Sequence, residues 1–529
     1  MSADLLAPSI RPGTPPPARP PRGWDRPAVI GVGIAAALAV AAWLPFLGVP
    51  LSPDESGFLL LAQHWRPGSS LYGNYWVDRP PLLLWLFSVA GHLGPVGHPA
   101  TGVTAPGVRL LGAAASGLTV VLAGVVAQLV APTQRWTRRV TVVAALALLS
   151  SPLLGMPVTN GELLALPFVL LGTACLIAAA RRNWGRDAGL LTVAAGASGV
   201  GAALVKQNVI DVFVFAAVLL VAAGGNLSHR WRRVGTFLTT AAGVLAASVL
   251  VAAARGTTPA GLWDATVVFR LQASAVIHAS ASSATAGRMG NLALAAVGSG
   301  VLVLGIAAAV GAVLGRPRYQ AGSARARGGA PVEPQIAVTW AALGMVLWEV
   351  CGVALGGSYW LHYLTGLVPG VLLLVALVRP SRRWRRVLTA CVSYLVVASA
   401  VVWGHQAISP VTISDDARVV AYLRAHAESA DGVVVAFGHP DIVAGSGLSS
   451  PYEYLWSLPV RVRDPELTEL GAVMTGPDAP RWVVVAGDSV DSWGLHAGAT
   501  QRLLERHYLE QVAYGDWHVW QHREGGGDR

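Results

Sequence analysis

Residues 28–60 read AVIGVGIAAALAVAAWLPFLGVPLSPDESGFLL, an apolar run that ends a few residues before the acidic pair Asp54-Glu55. The part at 28–48 is long enough to cross a membrane, because a spanning helix needs roughly 20 apolar residues. Acidic side chains at the mouth of a membrane bundle are costly to keep there, which makes them the first candidates for chemistry. A lone carboxylate just past a helix end is more often simply solvated. The rest of the sequence has to decide between these two interpretations.

Similar apolar runs recur along the chain. The protein has 529 residues, of which 53% are hydrophobic and only 12% are charged, and its mean hydropathy is +0.53. These runs predict a polytopic α-helical membrane protein with about eleven transmembrane helices. The predicted spans are 28–48, 107–131, 139–155, 161–180, 188–205, 208–224, 234–254, 291–315, 336–356, 363–379 and 386–404.

The arginines predict the orientation of these spans. They concentrate in every second connection, beginning with the N-terminal segment, whereas the alternate connections are poor in basic residues. Because cytoplasmic loops carry an excess of Lys and Arg, the N-terminus is predicted to be cytoplasmic in a multi-pass plasma-membrane protein. The sequence pI of about 10.0 then reflects orientation, and no nucleic acid partner is expected.

Three parts are predicted along the chain: a disordered, Pro- and Arg-rich cytoplasmic tail at 1–26, a transmembrane domain at 27–407 and a separate domain at 408–529. The last part holds 17 acidic residues against 9 arginines. Its short apolar runs Gly432–Phe437 and Arg481–Ala486 predict strands, and Trp517–Trp520 predicts a final strand. With predicted helices at 415–426 and 499–507, this part is expected to be a small extracytoplasmic α/β domain.

The first outer loop, residues 49–106, contains two apolar segments that are too short to span. Glu55–Arg66 and Pro80–Leu93 predict helices that lie along the outer interface, and Pro80-Pro81 suits a helix start. The loop would then hold Asp54 and the pair Asp78-Arg79 at the membrane surface, where a lipid headgroup arrives.

Further candidates lie at the predicted outer ends of other spans. Lys206 is the only lysine in the chain and suits a phosphate as a compact charge, although lysines also reach to the interface for purely structural reasons. Glu162 begins a span, where an acid is favourable without any function. His362 and Tyr363 lie in a turn whose aromatic residues are typical of membrane interfaces. The intramembrane acids Asp211 and Glu349 should face the bundle interior.

Four stretches of the sequence form one pattern: Pro53-Asp54-Glu55, Tyr75-Trp76-Val77-Asp78-Arg79-Pro80-Pro81-Leu82, Lys206-Gln207, and His362-Tyr363 to Pro369. Together they resemble the membrane glycosyltransferases of the GT-C fold. The branch that contains protein O-mannosyltransferases and lipid A aminoarabinose transferases is the most similar. The resemblance covers roughly residues 28–404. Arg79 departs from it, since a lysine is common at this place in such segments.

The resemblance implies transfer of a sugar from a polyprenyl-phosphate donor to a hydroxyl acceptor on the outer face; lipid, polysaccharide and protein acceptors all remain open. Such a reaction needs a base for the acceptor and cations for the leaving phosphate. Asp54 is then the predicted base, in an inverting displacement. The predicted acceptor-binding residues are Glu55, Asp78 and Glu162, and the predicted phosphate-binding residues are Arg79, Lys206, His362 and Tyr363.

No cofactor is required by the sequence, but a divalent metal held by Asp54, Glu55 and Glu162 is possible, since acidic oxygens are suitable ligands. Two other classes of function remain open. A transporter or flippase of polyprenyl-linked sugar would also place charges at membrane depth, although such proteins show paired halves that this sequence lacks. A non-catalytic envelope scaffold would depend on residues 408–529 and tolerate changes at Asp54 and Arg79.

Overall fold

The computed structural model of the protein describes residues 26–222, 227–279, 283–315, 334–491 and 495–523. Apart from Arg26, the predicted tail at 1–26 lies outside these residues. Every predicted span has a helix at its position. The long helices of the first half are α1 (Arg26–Ala41), α4 (Pro106–Val130), α5 (Arg135–Leu149), α6 (Gly161–Ala180), α7 (Arg186–Val205), α8 (Asp211–Ala222) and α9 (Leu227–Ala254), with α2 (Pro53–His64) and α3 (Pro81–His92) between the first two.

The second half contains both short and long helices. Helices α10 (Pro259–Trp263) and α11 (Phe269–Ala279) are joined by a π-helical turn, and α12 (Ser283–Gly298) and α13 (Val301–Leu314) follow. Next come α14 (Pro334–Leu355), a 3-10 helix (Leu361–Gly366), α15 (Leu367–Leu377) and α16 (Arg382–Ile408).

Within the described residues, seven helices are long and apolar enough to cross a membrane, or eight if the bent pair α12 and α13 is one span. The other three predicted spans, 139–155, 208–224 and 363–379, coincide with the shorter helices α5, α8 and α15, of 15, 12 and 11 residues. The count of eleven is therefore not confirmed. Hydropathy locates an apolar run, but helix length decides whether that run can reach across roughly 30 Å of hydrocarbon.

The bundle packs closely because small residues let helices approach each other. A Cβ at Gly201 of α7 would lie 2.7 Å from the Phe168 ring of α6, and one at Gly172 of α6 would lie 2.8 Å from Val212 of α8. Helices α6 and α7 run antiparallel, so the first residues of α6 lie beside the last residues of α7. This packing brings Glu162 and Lys206 to the same end of the bundle.

The C-terminal part forms a four-stranded mixed sheet with helices around it, whereas the sequence predicts three of these strands. The sheet order is β1-β2-β4-β3, with β1 parallel to β2 and the other neighbours antiparallel. Its helices are α17 (Asp415–His426), α18 (Pro440–Ser446), α19 (Ser457–Arg463), α20 (Thr468–Thr475) and α21 (Gly498–His507), and its strands are β1 (Val433–Ala436), β2 (Trp482–Ala486), β3 (Tyr508–Tyr514) and β4 (Trp517–His522).

This C-terminal part rests on the first loop of the chain. The Trp76 N–H donates to the carbonyl oxygen of Glu453 (3.1 Å), and Tyr75 accepts at its hydroxyl from the Ser450 N–H (3.2 Å). Helix α2 is buried along most of its length and packs against α3 and α18. The two predicted loop helices are therefore present, and α2 is enclosed by protein on several sides.

Candidate active site

Helix α2 begins at a capping box that fixes the backbone of the acidic pair. The Ser52 hydroxyl accepts from the Glu55 N–H (3.3 Å), and the Glu55 carboxylate accepts from the Ser52 N–H (2.9 Å), with Pro53 in the first turn. This reciprocal pairing satisfies two backbone donors that a helix start otherwise leaves without partners. Asp54 and Glu55 are thereby held on different sides of the first turn.

Glu55 points into the protein. Its side chain is fully buried and forms an ion pair with Arg109 of α4, whose side chain is 1% exposed. The same carboxylate accepts from the Thr159 N–H (2.7 Å). Because protein donors already surround both oxygens, these contacts favour a structural role, and the prediction that Glu55 binds the acceptor stays untested.

Asp54 points out of the bundle and is exposed. Its Oδ1 accepts from the Trp456 Nε1 of the C-terminal part (2.8 Å), and the Trp456 ring stacks on Phe58 at 5.6 Å between centroids. The Asp54 carboxylate is close enough to Arg79 to favour the charged guanidinium, whereas at His362 it only opposes burial, which lowers the pKa of that residue. Asp54 thus combines access to solvent with a neighbouring cation.

Asp78 lies between two arginines. Its Oδ1 pairs with Arg79 (2.7 Å) and its Oδ2 with Arg270 of α11 (2.7 Å). Burial raises the pKa of Asp78, but the charges of Arg79 and Arg270 outweigh it and hold the pKa below its usual range. Likewise, burial lowers the pKa of Arg79, but Asp78 and then Asp54 raise it, and the net shift is upward. Both side chains therefore stay charged at neutral pH.

Lys206 lies directly after the last residue of α7 and pairs with Glu162 in the first turn of α6. The Asn160 side chain caps that turn by accepting from the Leu163 N–H (2.9 Å). The Lys206 ammonium also lies 4.9 Å from the centroid of the Tyr363 ring, and His362 Nε2 lies 3.7 Å from the Glu162 carboxylate. Four residues predicted from distant segments therefore form one group.

The group around Asp78 and the group around Lys206 belong to one charged cluster at this end of the bundle. Arg79 interacts with Glu162 and Tyr363 as well as with Asp78 and Asp54, and the Gln207 amide donates to the Asp78 carbonyl oxygen (2.8 Å). Seven of the eight predicted residues, all except Glu55, meet here. Such a cluster of acids and cations, partly shielded from water, can bind a phosphate and orient a hydroxyl group.

Two contributors were not predicted as site residues. They are Arg270 of α11 and Trp456, which directly precedes α19. Arg270 is 192 positions from Asp78, and Trp456 is 402 positions from Asp54. The one available signal was an arginine in a segment of mostly apolar residues, at FRLQASAVI.

The intramembrane acids lie just below this cluster. Asp211 and Glu349 are buried in the bundle, 2% and 8% exposed, as predicted for acids that must avoid lipid. A Cβ at Gly366 would collide with the Glu349 carboxylate, so the glycine in the 3-10 helix makes room for this acid.

A possible metal site differs from the one that the sequence predicts. Asp54, Glu55 and Glu162 do not form such a group, since Glu55 pairs with Arg109 and Glu162 with Lys206. Among the described residues, one group of acidic and His side chains could hold a metal ion: Asp416, His439 and Asp441 of the C-terminal part, whose ligand atoms lie within 4.8 Å of one another.

The fold is similar to several solved membrane enzymes. ArnT from Cupriavidus metallidurans, bound to undecaprenyl phosphate, superposes with a TM-score of 0.58 at 12% identity, over 93% of this chain and 97% of that one. The Archaeoglobus fulgidus oligosaccharyltransferase with a tethered acceptor peptide gives a TM-score of 0.52 at 12% identity, over 94% and 74%. Arabinofuranosyltransferase AftD from Mycobacteria gives 0.50 at 14% identity, over 94% and 40%.

These similarities confirm the GT-C fold that the sequence motifs indicate. At such low identity they concern the fold alone, since one fold hosts different functions. No family model matches the sequence, and no curated protein is similar to it in sequence.

Proposed function

We propose that the protein is a membrane glycosyltransferase that moves a sugar from a polyprenyl-phosphate donor to a hydroxyl acceptor on the outer face of the plasma membrane. The observation that carries this proposal is the exposed carboxylate of Asp54 beside Arg79, in a cluster that also contains Lys206 and Arg270. The fold supports it, because ArnT, which has the same fold, binds undecaprenyl phosphate.

In the proposed reaction, the Asp54 carboxylate takes the proton of the acceptor hydroxyl while that oxygen attacks the anomeric carbon. The bond between this carbon and the phosphate oxygen breaks, and its electron pair leaves with the polyprenyl phosphate. A single displacement inverts the anomeric centre. A positioned base contributes typically ~10²- to 10⁴-fold to such a step.

The cations of the cluster are proposed to stabilise the leaving phosphate. The donor phosphate is a diester with one negative charge, whereas the leaving polyprenyl phosphate is a monoester with up to about two at pH 7. Charge therefore develops on the phosphate as the bond breaks, and preorganised cations stabilise that state more than the ground state. Arg79, Lys206 and Arg270 are suited to this task, with His362 and Tyr363 beside them.

The contacts of the other acids favour positioning roles. Asp78 holds the guanidinium groups of Arg79 and Arg270 on its two oxygens. Glu162 holds the ammonium group of Lys206. An incoming phosphate therefore meets cations whose directions are already set, which reduces the reorganisation that the reaction requires.

The test is release of radiolabelled sugar from undecaprenyl-phosphate pentose and hexose donors in membranes that contain the full-length protein. We expect Asp54→Asn to abolish release while the protein is retained at native levels. Asp488→Asn is the matched control, because it removes the same charge from a fully exposed carboxylate of the C-terminal part.

Equal release by the native protein and Asp54→Asn would refute the base assignment. If label stays on the lipid with every donor but crosses the membrane, the transporter interpretation replaces the enzyme. Product stereochemistry, read from the anomeric coupling in NMR, tests the single displacement, and a retained configuration would contradict it.

A further inference from the structure

A large cavity lies in the bundle at the end opposite to the charged cluster. Its volume is about 750 Å³, and it is bounded by the last turns of α6, by α7 and α8 and by the start of α9. Glu162 of the charged cluster is at the start of α6, whereas Ala180 at its end lines this cavity. At 1.5 Å per residue, the 20 residues of α6 separate the two by roughly 30 Å.

The cavity has two chemically different parts. Most of its lining is apolar, and the rings of Phe213 of α8 and Phe237 of α9 lie 5.3 Å apart between centroids. Its basic part, here called the mouth, is lined by Arg182 just after α6 and by Arg230 and Arg233 at the start of α9. Apolar depth and a cationic rim together fit an amphiphile that has an anionic headgroup.

The arginines at the mouth have few acidic partners. No Asp or Glu is among the described residues that line the cavity, and Asp187 lies in an adjoining cleft that shares Arg182. Arg182 donates to the Ala178 carbonyl oxygen (2.9 Å), and Arg233 donates to the Arg182 carbonyl oxygen (2.6 Å). The Nε of Arg233 is buried and has no hydrogen-bond partner in the described part of the chain. The mouth therefore has cationic donors whose charge is not balanced locally.

We propose that this cavity binds an anionic glycerophospholipid, with its phosphate at the three arginines and an acyl chain in the apolar interior. The predicted orientation places the cavity at the cytoplasmic leaflet, which is the leaflet whose anionic phospholipids attract basic residues near the surface. The lipid is distinct from the proposed donor, because the cations suited to a polyprenyl phosphate lie at the other end of the bundle. This binding does not depend on the proposed transfer activity.

The experiment uses the purified full-length protein in detergent, stripped of lipid and titrated in native mass spectrometry. The probes are phosphatidylglycerol, phosphatidylcholine with the same acyl chains, and undecaprenyl phosphate. We expect phosphatidylglycerol to bind at least about tenfold more tightly than phosphatidylcholine, since each basic residue near an anionic surface contributes about 1 kcal/mol, or about fivefold.

Three variants locate the binding. Arg230→Gln/Arg233→Gln should remove most of the preference for phosphatidylglycerol. Arg382→Gln/Arg386→Gln, which removes the same charge from exposed positions at the start of α16, should keep it. Ala217→Trp fills the apolar part without a change of charge, since Ala217 lines the cavity, and should weaken binding of both phospholipids.

Several outcomes would overturn the proposal. These are a preference that survives Arg230→Gln/Arg233→Gln, an equal loss in the Arg382→Gln/Arg386→Gln control, and full binding by Ala217→Trp. Undecaprenyl phosphate that binds more tightly than phosphatidylglycerol, and whose binding Arg230→Gln/Arg233→Gln weakens, would refute the assigned occupant. Because Ala217→Trp leaves every arginine in place, it keeps the test decisive if the arginine variant does not fold.

Discussion

Glu55→Gln should destabilise the protein, whereas Asp54→Asn at the adjacent position should inactivate it without loss of stability. Glu55 is fully buried and holds Arg109, which is itself 1% exposed, and it accepts from the backbone N–H groups of Ser52 and Thr159. The glutamine keeps the shape of the side chain but removes its charge, so the Arg109 guanidinium is left buried without a counter-ion.

The expected loss follows from that buried charge. Removing one partner of a buried pair costs about 3–5 kcal/mol in the free energy of unfolding, which lowers the ratio of folded to unfolded protein by roughly 10²- to 10⁴-fold. Arg109 also donates to the carbonyl oxygens of Pro157 (2.7 Å) and Pro50 (2.8 Å). These neutral acceptors compensate its charge only in part, which places the expected value toward the lower end of that range.

The assay is thermal unfolding of the purified protein in detergent, followed by size-exclusion chromatography, beside the sugar-release measurement. Arg109→Gln and the double variant complete a mutant cycle, in which residues in direct contact should show a coupling of about 0.5–3 kcal/mol. The reasoning is refuted if Glu55→Gln unfolds like the native protein and still loses transfer. That result would assign chemistry to Glu55 and would support its predicted place at the acceptor.

Three further predictions concern the charged cluster. Trp456→Phe keeps the stacked ring but removes the donor to Asp54, so we expect kcat to fall several-fold with KM nearly unchanged; a change in KM alone would contradict an orienting role. Lys206→Gln should weaken binding of undecaprenyl phosphate by about 10- to 100-fold, as for the loss of a hydrogen bond to a charged group. Lys206→Arg should retain most of the binding. Equal binding by the two variants in a thermal-shift titration would exclude a contact between Lys206 and the phosphate. Asp78→Asn should lower the unfolding temperature at pH 7. The pKa of the Asp78 carboxyl in the folded protein is below the ordinary 3.8, so its ionised form stabilises the protein above pH 3.8. This stabilisation is lost as the pH falls through the lowered pKa. The gap between native protein and variant should therefore persist at pH 5 and close only below about pH 3.8, and a gap that closes between pH 7 and 5 would show that another group is responsible.

Local structure was predictable wherever it depends on residues close together in the chain. The helix predicted at 415–426 is α17, and the predicted strands at 432–437, 481–486 and 517–520 contain or overlap β1, β2 and β4. Strand β3 was not predicted, since its residues Tyr508–Tyr514 are mostly exposed and lack the apolar run that marks a buried strand.

The number of spans was less predictable than their positions. Every predicted span has a helix at its position, but α8 has only 12 described residues and α15 has 11, fewer than a span needs. A turn at Lys206-Gln207-Asn208 separates α7 from α8, and a hydropathy average does not contain the position of such a turn.

The sequence by itself determined the class of the protein and the chemical types in its candidate site, because apolar run length and residue identity are local properties. Only the tertiary structure distinguished the surroundings of Asp54 and Glu55, since their side chains leave the same helical turn toward solvent and toward Arg109 respectively. It also supplied Arg270 to Asp78 and Trp456 to Asp54, across 192 and 402 positions. The physical reason is that a buried or clustered charge is stable only beside its partner, and chain packing chooses that partner.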